Sequence, residues 1–283
     1  MKKKTITLLL FSLVTAIGVL YVLNINSVQV ITYFPPDEEL SFVDASTTLT
    51  YIPEDNQGYS IDWTTFSNIE KDIYLRQDVS LLFSNGNLVG VQSKWEQNKD
   101  RIEISRDLQN NADAIWESIS FHHGEIHYPE NTIKSIQQMT FDNLYVYQEN
   151  RYHAFKSASN RLEENVAESL DKKKNKQLLK HWQQLLSHFS IDLERYHTIP
   201  LTELNKYSME NLPGFNQEQT NKIIGQLWEG LYKNYILPAA DSKQGKLQSY
   251  TPLVLLDKQL NQLLVVFELN GSKEKLIQNI TQK

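Results

Sequence analysis

The densest group of side chains able to do chemistry is His122-His123-Gly124-Glu125-Ile126-His127. On a strand from Gly124 to Tyr128, alternation sends His123, Glu125 and His127 to one face and Ile126 and Tyr128 to the other. Neutral imidazole and carboxylate are the usual non-thiol donors to zinc and related divalent ions. His123, Glu125 and His127 are therefore the candidate metal ligands, and Asp142, near a neighbouring turn, is a further donor. A plainer reading fits the same pattern better. With Ile126 and Tyr128 in the core, the His-Glu-His face lies in water, where polar residues belong. The expectation is thus no cofactor, with a divalent metal as the alternative. A pH-responsive role is the other use of three histidines, since imidazole titrates near neutrality.

Other chemistries lack their residues. There is no His-Glu-x-x-His helix, no Gly-x-Ser-x-Gly elbow and no Ser-x-x-Lys followed by Lys-Thr-Gly. Gly86-Asn87-Leu88-Val89-Gly90 lacks the Gly-Lys-Ser/Thr end of a phosphate loop. Zero cysteines exclude disulfides, thiol catalysis and cysteine-based zinc sites. A net charge of −6 argues against nucleic acid as a partner, because phosphate contacts need an excess of Lys and Arg. Glu163, Glu164 and Glu168 read as the solvated face of a helix. The run Lys172 to Lys176 could touch anionic lipid headgroups or wall polymers; its plainer reading is a solvated helix junction. Tyr145 and Tyr147, with Tyr74 and Trp95 on an earlier hairpin, could form an aromatic platform for sugars or peptide, against ordinary strand packing.

The elements that position these residues begin with an apolar run. Lys2, Lys3 and Lys4 precede Thr5 to Leu23, which carries no charge. That length suits a bilayer-spanning helix, and the lysines place the N-terminus in the cytoplasm. A cleaved signal peptide is the competing reading; Val14-Thr15-Ala16 imitates its cut site poorly. The organisation expected is a cytoplasmic stub (1–4), a transmembrane anchor (5–24), a juxtamembrane connector with first strands (25–68) and an extracytoplasmic α+β domain (69–283), with a subdivision near residue 150 as the alternative. Pro35-Pro36 reads as an extended spacer, and Ser27 to Phe34 and Thr47 to Ile52 as strands.

Asp72 to Trp95 shows the clearest period of two: Ile73, Leu75, Val79, Leu81 and Phe83 alternate with Tyr74, Arg76, Asp78 and Ser80. A three-residue loop, Asn85 to Asn87 with Asn87 left-handed, pairs Val89 with Phe83 and Val91 with Leu81, matching the apolar faces. Ile102 to Phe121 reads as a helix from Ile104, Leu108, Ile115, Trp116 and Ile119. Short strands follow around Glu125 to Tyr128, Ile133 to Phe141 and Leu144 to Tyr147. Two helical stripes, Phe155 to Leu170 and Leu178 to Phe189, make either one long helix or two. Asn216 and Gln219 form a capping box for a helix to Tyr235. Pro252 to Leu256 and Leu263 to Phe267 read as a buried hairpin, and Lys273 to Ile280 as a last helix.

The fold class expected is α+β, an antiparallel or mixed sheet with packed helices after one N-terminal transmembrane helix. The function expected is a single-pass extracytoplasmic protein of the cell membrane, touching the bilayer through residues 5–23 and binding a partner protein or envelope ligand. The alternative is a metal-dependent envelope hydrolase built on His123, Glu125 and His127.

Overall fold

The computed structural model describes residues 32–54, 58–241 and 248–280. The anchor at 5–24 lies outside them. Among the described residues no helix is long and apolar enough to cross a membrane. The fold corrects the α+β expectation: strand outweighs helix, 51% against 28%, and the main sheet curls into a nearly closed barrel.

That sheet contains β1 (Asp44–Pro53), β2 (Tyr59–Ser84), β3 (Asn87–Asn110), β4 (Ala114–His127), β5 (Ile133–Gln148) and β6 (Tyr152–Phe155). Its framework is the long antiparallel ribbon of β2 and β3. Along one edge of β2, β1 pairs with the first half (Asp44 opposite Asn68) and β4 with the second (Leu75 opposite Glu125). Irregular pairing between Asn68 and Ile73 separates the halves. β5 pairs with β4, and side chains close the barrel back to β1: Thr47 reaches Thr140, and the Leu49 amide donates to Asp142 Oδ2 at 2.7 Å.

The expected helix over Ile102 to Phe121 is instead the end of β3, a turn and most of β4. Ile102-Glu103-Ile104-Ser105-Arg106-Asp107-Leu108 also alternates apolar with polar, and pairing with β2 selected that period. Similarly, β5 runs unbroken through Asp142-Asn143 and joins the two short strands expected at Ile133 to Phe141 and Leu144 to Tyr147.

The β2–β3 turn corrects the three-residue loop. Asn85 and Gly86 carry the positive φ angles (50° and 77°), Ser84 pairs with Asn87, and Phe83 pairs with Leu88. This is the two-residue Asn-Gly turn. The register then shifts at Val89, so Leu82 meets Gly90 and Leu81 meets Val91. A β-bulge therefore supplies the face matching that a longer loop was expected to supply. Gly90 is required here, because a Cβ would stand 2.7 Å from Trp63 Cζ3.

The barrel interior is layered. One end is apolar, with Leu49, Tyr59, Ile61, Trp63, Leu82 and Trp116. The other holds Ile69, Ile73, Ile126 and Ile136, with Leu40 and Phe42 against them. Between them lies a polar layer, described below. Phe42 arrives on an N-terminal strap: Pro35 O and the Asp37 amide bond to the Ser135 backbone, and the Val43 amide to Asn68 O. The Asp37 carboxylate holds the strap's shape by accepting from the Glu39 and Leu40 amides and from the Tyr128 hydroxyl.

The outer face of β4 and β5 is covered too. α1 (Arg161–His188) is one unbroken helix through the lysine run, capped by Asn160. β7 (Tyr196–Pro200), a 3-10 helix (Leu201–Ser208) and α2 (Gln217–Leu231), with the expected capping box, follow. α2 stacks Trp228 on Phe121 at 5.0 Å. β8 (Leu253–Asp257) and β9 (Gln262–Leu269) form the expected hairpin, and with β7 and β10 (Ser272–Asn279) make a second antiparallel sheet ordered β10-β9-β8-β7. α1 packs on it through Leu178, Trp182 and Leu185. β10 replaces the expected last helix. Asn270 and Gly271, at φ 51° and 87°, make a second tight turn that folds Ser272 back onto Leu269.

Candidate functional site

β4 carries ionisable side chains on both faces, and both faces are buried. The outer face bears His123, Glu125 and His127, together as their spacing predicts. Glu125 lies between the imidazoles: Oε1 is 4.0 Å from His123 Nε2 and Oε2 is 3.6 Å from His127 Nε2. The water-facing expectation is corrected for two of the three. His123 is 1% exposed and Glu125 8%, because the layer outside the barrel covers them; His127 stays near the rim, stacked on Tyr74 at 3.8 Å. Burial pushes the His123 imidazole down to about 4 and raises the Glu125 carboxyl, against the pull of His127.

The two imidazoles address different oxygens of one carboxylate. A zinc ion needs its donors about 2.0–2.2 Å away and converging on one point. Among the described residues no group of three or more His, Asp or Glu side chains is arranged to hold a metal ion. Asp142 is not near this cluster; its Oδ2 accepts from Lys156 Nζ at 2.6 Å as well as from the Leu49 amide. His123 Nε2 is buried without a hydrogen-bond partner.

The inner face holds a network that the sequence reading passed over. His122 Nδ1 lies 2.9 Å from Asp78 Oδ2, and Ser67 donates to the same oxygen at 2.6 Å. The Arg76 guanidinium donates to Ser67 Oγ and, at 2.6 Å, to Asp100 O. Phe42 lies 5.1 Å from that guanidinium and edge-on to His122. On its other side, His122 Nε2 meets Thr140 Oγ1 at 2.8 Å. Hydroxyls continue the chain: Thr140 to Thr47 (2.5 Å), Thr47 to Ser120 (2.6 Å), Ser120 to Ser80 (2.6 Å). Trp63 Nε1 ends it by donating to Ser80.

Asp78, His122 and Thr140 stand in the order of a carboxylate–imidazole–hydroxyl triad. Their surroundings differ from those of a nucleophile. Asp78 and His122 have no solvent exposure, and Thr47 engages the Thr140 hydroxyl from the other side. The network links β1, β2, β4 and β5 through the lumen. Each buried hydrogen bond of this kind contributes about 0.5–1.5 kcal/mol net, and more where a charge takes part.

The chain matches no family model, no curated protein and no solved structure.

The aromatic platform separates into two parts. Tyr145 stacks on Phe155 at 5.1 Å and donates to Asp171, and Tyr147 packs on the same Phe155, so both are packing residues. Tyr74 and Trp95 remain 45% and 46% exposed. Trp95 belongs to β3, which pairs with β2 along one edge only. At its start the Leu88 amide bonds to Ser249 O. From Val89 to Asn110 no strand covers the other edge among the described residues. A groove of ≈ 920 Å³ runs beside it, lined in part by Val89, Val91, Arg106, Leu108, Tyr250 and Glu268.

Proposed function

We propose that this chain is a non-enzymatic binding protein held in the cell membrane by residues 5–23, with its folded domain on the extracytoplasmic side, where it engages a partner protein. The basic start and uncharged apolar run support the anchor. The observation that carries the binding role is the uncovered edge of β3. An unpaired strand edge offers backbone donors and acceptors to an incoming strand, and pockets beside it take that strand's side chains. Lys94, Glu96, Lys99, Asp100, Arg101, Glu103 and Asp107 line this strand. Mixed charge of this kind blocks indiscriminate pairing and favours a partner of complementary charge.

The test is photo-crosslinking of the full chain in its native membrane, with a reactive amino acid at Gln97 or Ser105 on β3 and, separately, at Thr198 on β7. A discrete adduct from the β3 positions alone supports the proposal. Equal labelling from all three positions, or an unlabelled monomer, overturns it. Stoichiometric zinc in the purified chain, lost in a His123→Ala/His127→Ala double variant, would replace it with the hydrolase reading, for which the unpartnered His123 Nε2 is the supporting observation.

A further inference from the structure

The charged residues on the outward face of α1 are all cations. At 3.6 residues per turn, the arc within about 60° either side of Lys176 carries Arg161, Lys172, Lys173, Lys176 and Lys180. The helix's four carboxylates, Glu163, Glu164, Glu168 and Asp171, all fall outside it. The five cations are exposed. Among the described residues Lys174 alone of this run is in an ion pair, and it points inward, 2.9 Å from Glu117 and 3.3 Å from Asp171. The opposite side of the helix is fixed in the core by Leu178, Trp182 and Leu185, so the cationic face is held outward. Such a face is out of keeping with a chain of net charge −6. Two leucines share it, Leu162 at 46% and Leu179 at 55% exposure.

We infer that this face of α1 docks on a bilayer surface rich in anionic phospholipid. The inference rests on the proposal that the domain stands at a membrane. Lysines attract phosphate-bearing headgroups, and leucines among them gain by entering the acyl boundary. A soluble anionic polymer offers the same charge and no such boundary, so the two leucines favour lipid. The lysine run, which reads from sequence as a solvated junction, thereby becomes the contact itself.

The chain has no cysteine, so Ser169→Cys gives one thiol on this face for an environment-sensitive fluorophore. The full-length labelled chain is mixed with vesicles of phosphatidylcholine alone, or with phosphatidylglycerol added. A blue shift with phosphatidylglycerol only, reversed by salt, is the expected result. Replacing Lys172, Lys176 and Lys180 by Gln should raise the phosphatidylglycerol content needed for it, with affinity falling roughly fivefold per lysine. Leu179→Ser should reduce the shift and spare the charge dependence. The same emission in both lipids, or an equal shift with soluble glycerol-phosphate polymer, overturns the inference. Flotation of the same samples separates this from the anchor: a chain that fails to float with phosphatidylcholine has no working anchor, and its response to phosphatidylglycerol then reads α1 alone.

Discussion

His122 and Asp78 are directly opposed residues of β4 and β2, with Nδ1 2.9 Å from Oδ2 and neither side chain exposed. The carboxylate fixes which imidazole nitrogen carries a proton toward it. Ser67 shares the same oxygen, so the carboxylate also joins the first half of β2 to the second. The strand's two halves are thus linked by polar contacts where the ladder between them is irregular.

Asp78→Asn keeps the shape and removes the charge. Arg76 then stays buried with only the Asp100 carboxylate left as counter-charge. Breaking one member of a buried charged set costs about 3–5 kcal/mol. Urea unfolding followed by tryptophan fluorescence should show that loss. Replacing Arg76 by Met in the same chain should recover part of it. An Asp78→Asn loss below about 1 kcal/mol would show that Asp78 contributes little to the fold.

Stability should fall on mild acidification through His123. Its folded value, about 4, is below the 6.5 of an exposed imidazole. As pH drops through 6.5 the unfolded chain takes up this proton while the folded chain does not, so stability declines until about pH 4 and is flat below. The size is on the order of 3 kcal/mol. Glu125, raised by burial, has the opposite sign: its folded form protonates first and adds stability as pH falls. Unfolding free energies of wild type and His123→Phe, measured from pH 7 to pH 4, should diverge as pH falls, the variant declining less. Parallel curves would contradict the assignment.

Lys174 and Glu117 pair at 2.9 Å beneath α1 with side chains only 11% and 10% exposed. Lys174→Leu alone strands a buried carboxylate, and Glu117→Leu alone leaves Lys174 with Asp171. The first should therefore cost more, about 3 kcal/mol or above, and the double variant less than the sum. A double-mutant cycle in urea checks both. Additive losses would mean that the pair contributes nothing as a pair.

How far the fold is legible in the sequence depends on which side each polar residue faces. The alternation over Ile73 to Phe83 is plain, and it reads as one buried and one wet face. Arg76, Asp78 and Ser80 in fact point into the barrel. Local periodicity cannot distinguish solvent from a polar lumen, because closure depends on strands far apart in the chain. The same cause hides His122: one residue from the candidate ligands, it belongs to the opposite face and a different network. The Asn85-Gly86 turn shows another limit, since its usual form and the matched faces conflict until a bulge reconciles them. Asn270-Gly271 makes a turn of the same composition, ahead of a segment, Lys273 to Ile280, that reads as a helix and pairs as β10. Where one segment decides its own structure, the reading holds, as in the Asn216–Gln219 capping box.

The strap determines how the barrel bears mechanical load. Tension arriving from the N-terminal side meets the bond from the Tyr33 amide to Glu229, on α2, and the bonds that Pro35 and Asp37 make to Ser135, on β5. Only beyond them does it reach β1, at the sheet's margin. A pull is therefore taken up on α2 and β5 before it can peel β1 away, and Phe42 stays seated over Arg76 until that lacing gives.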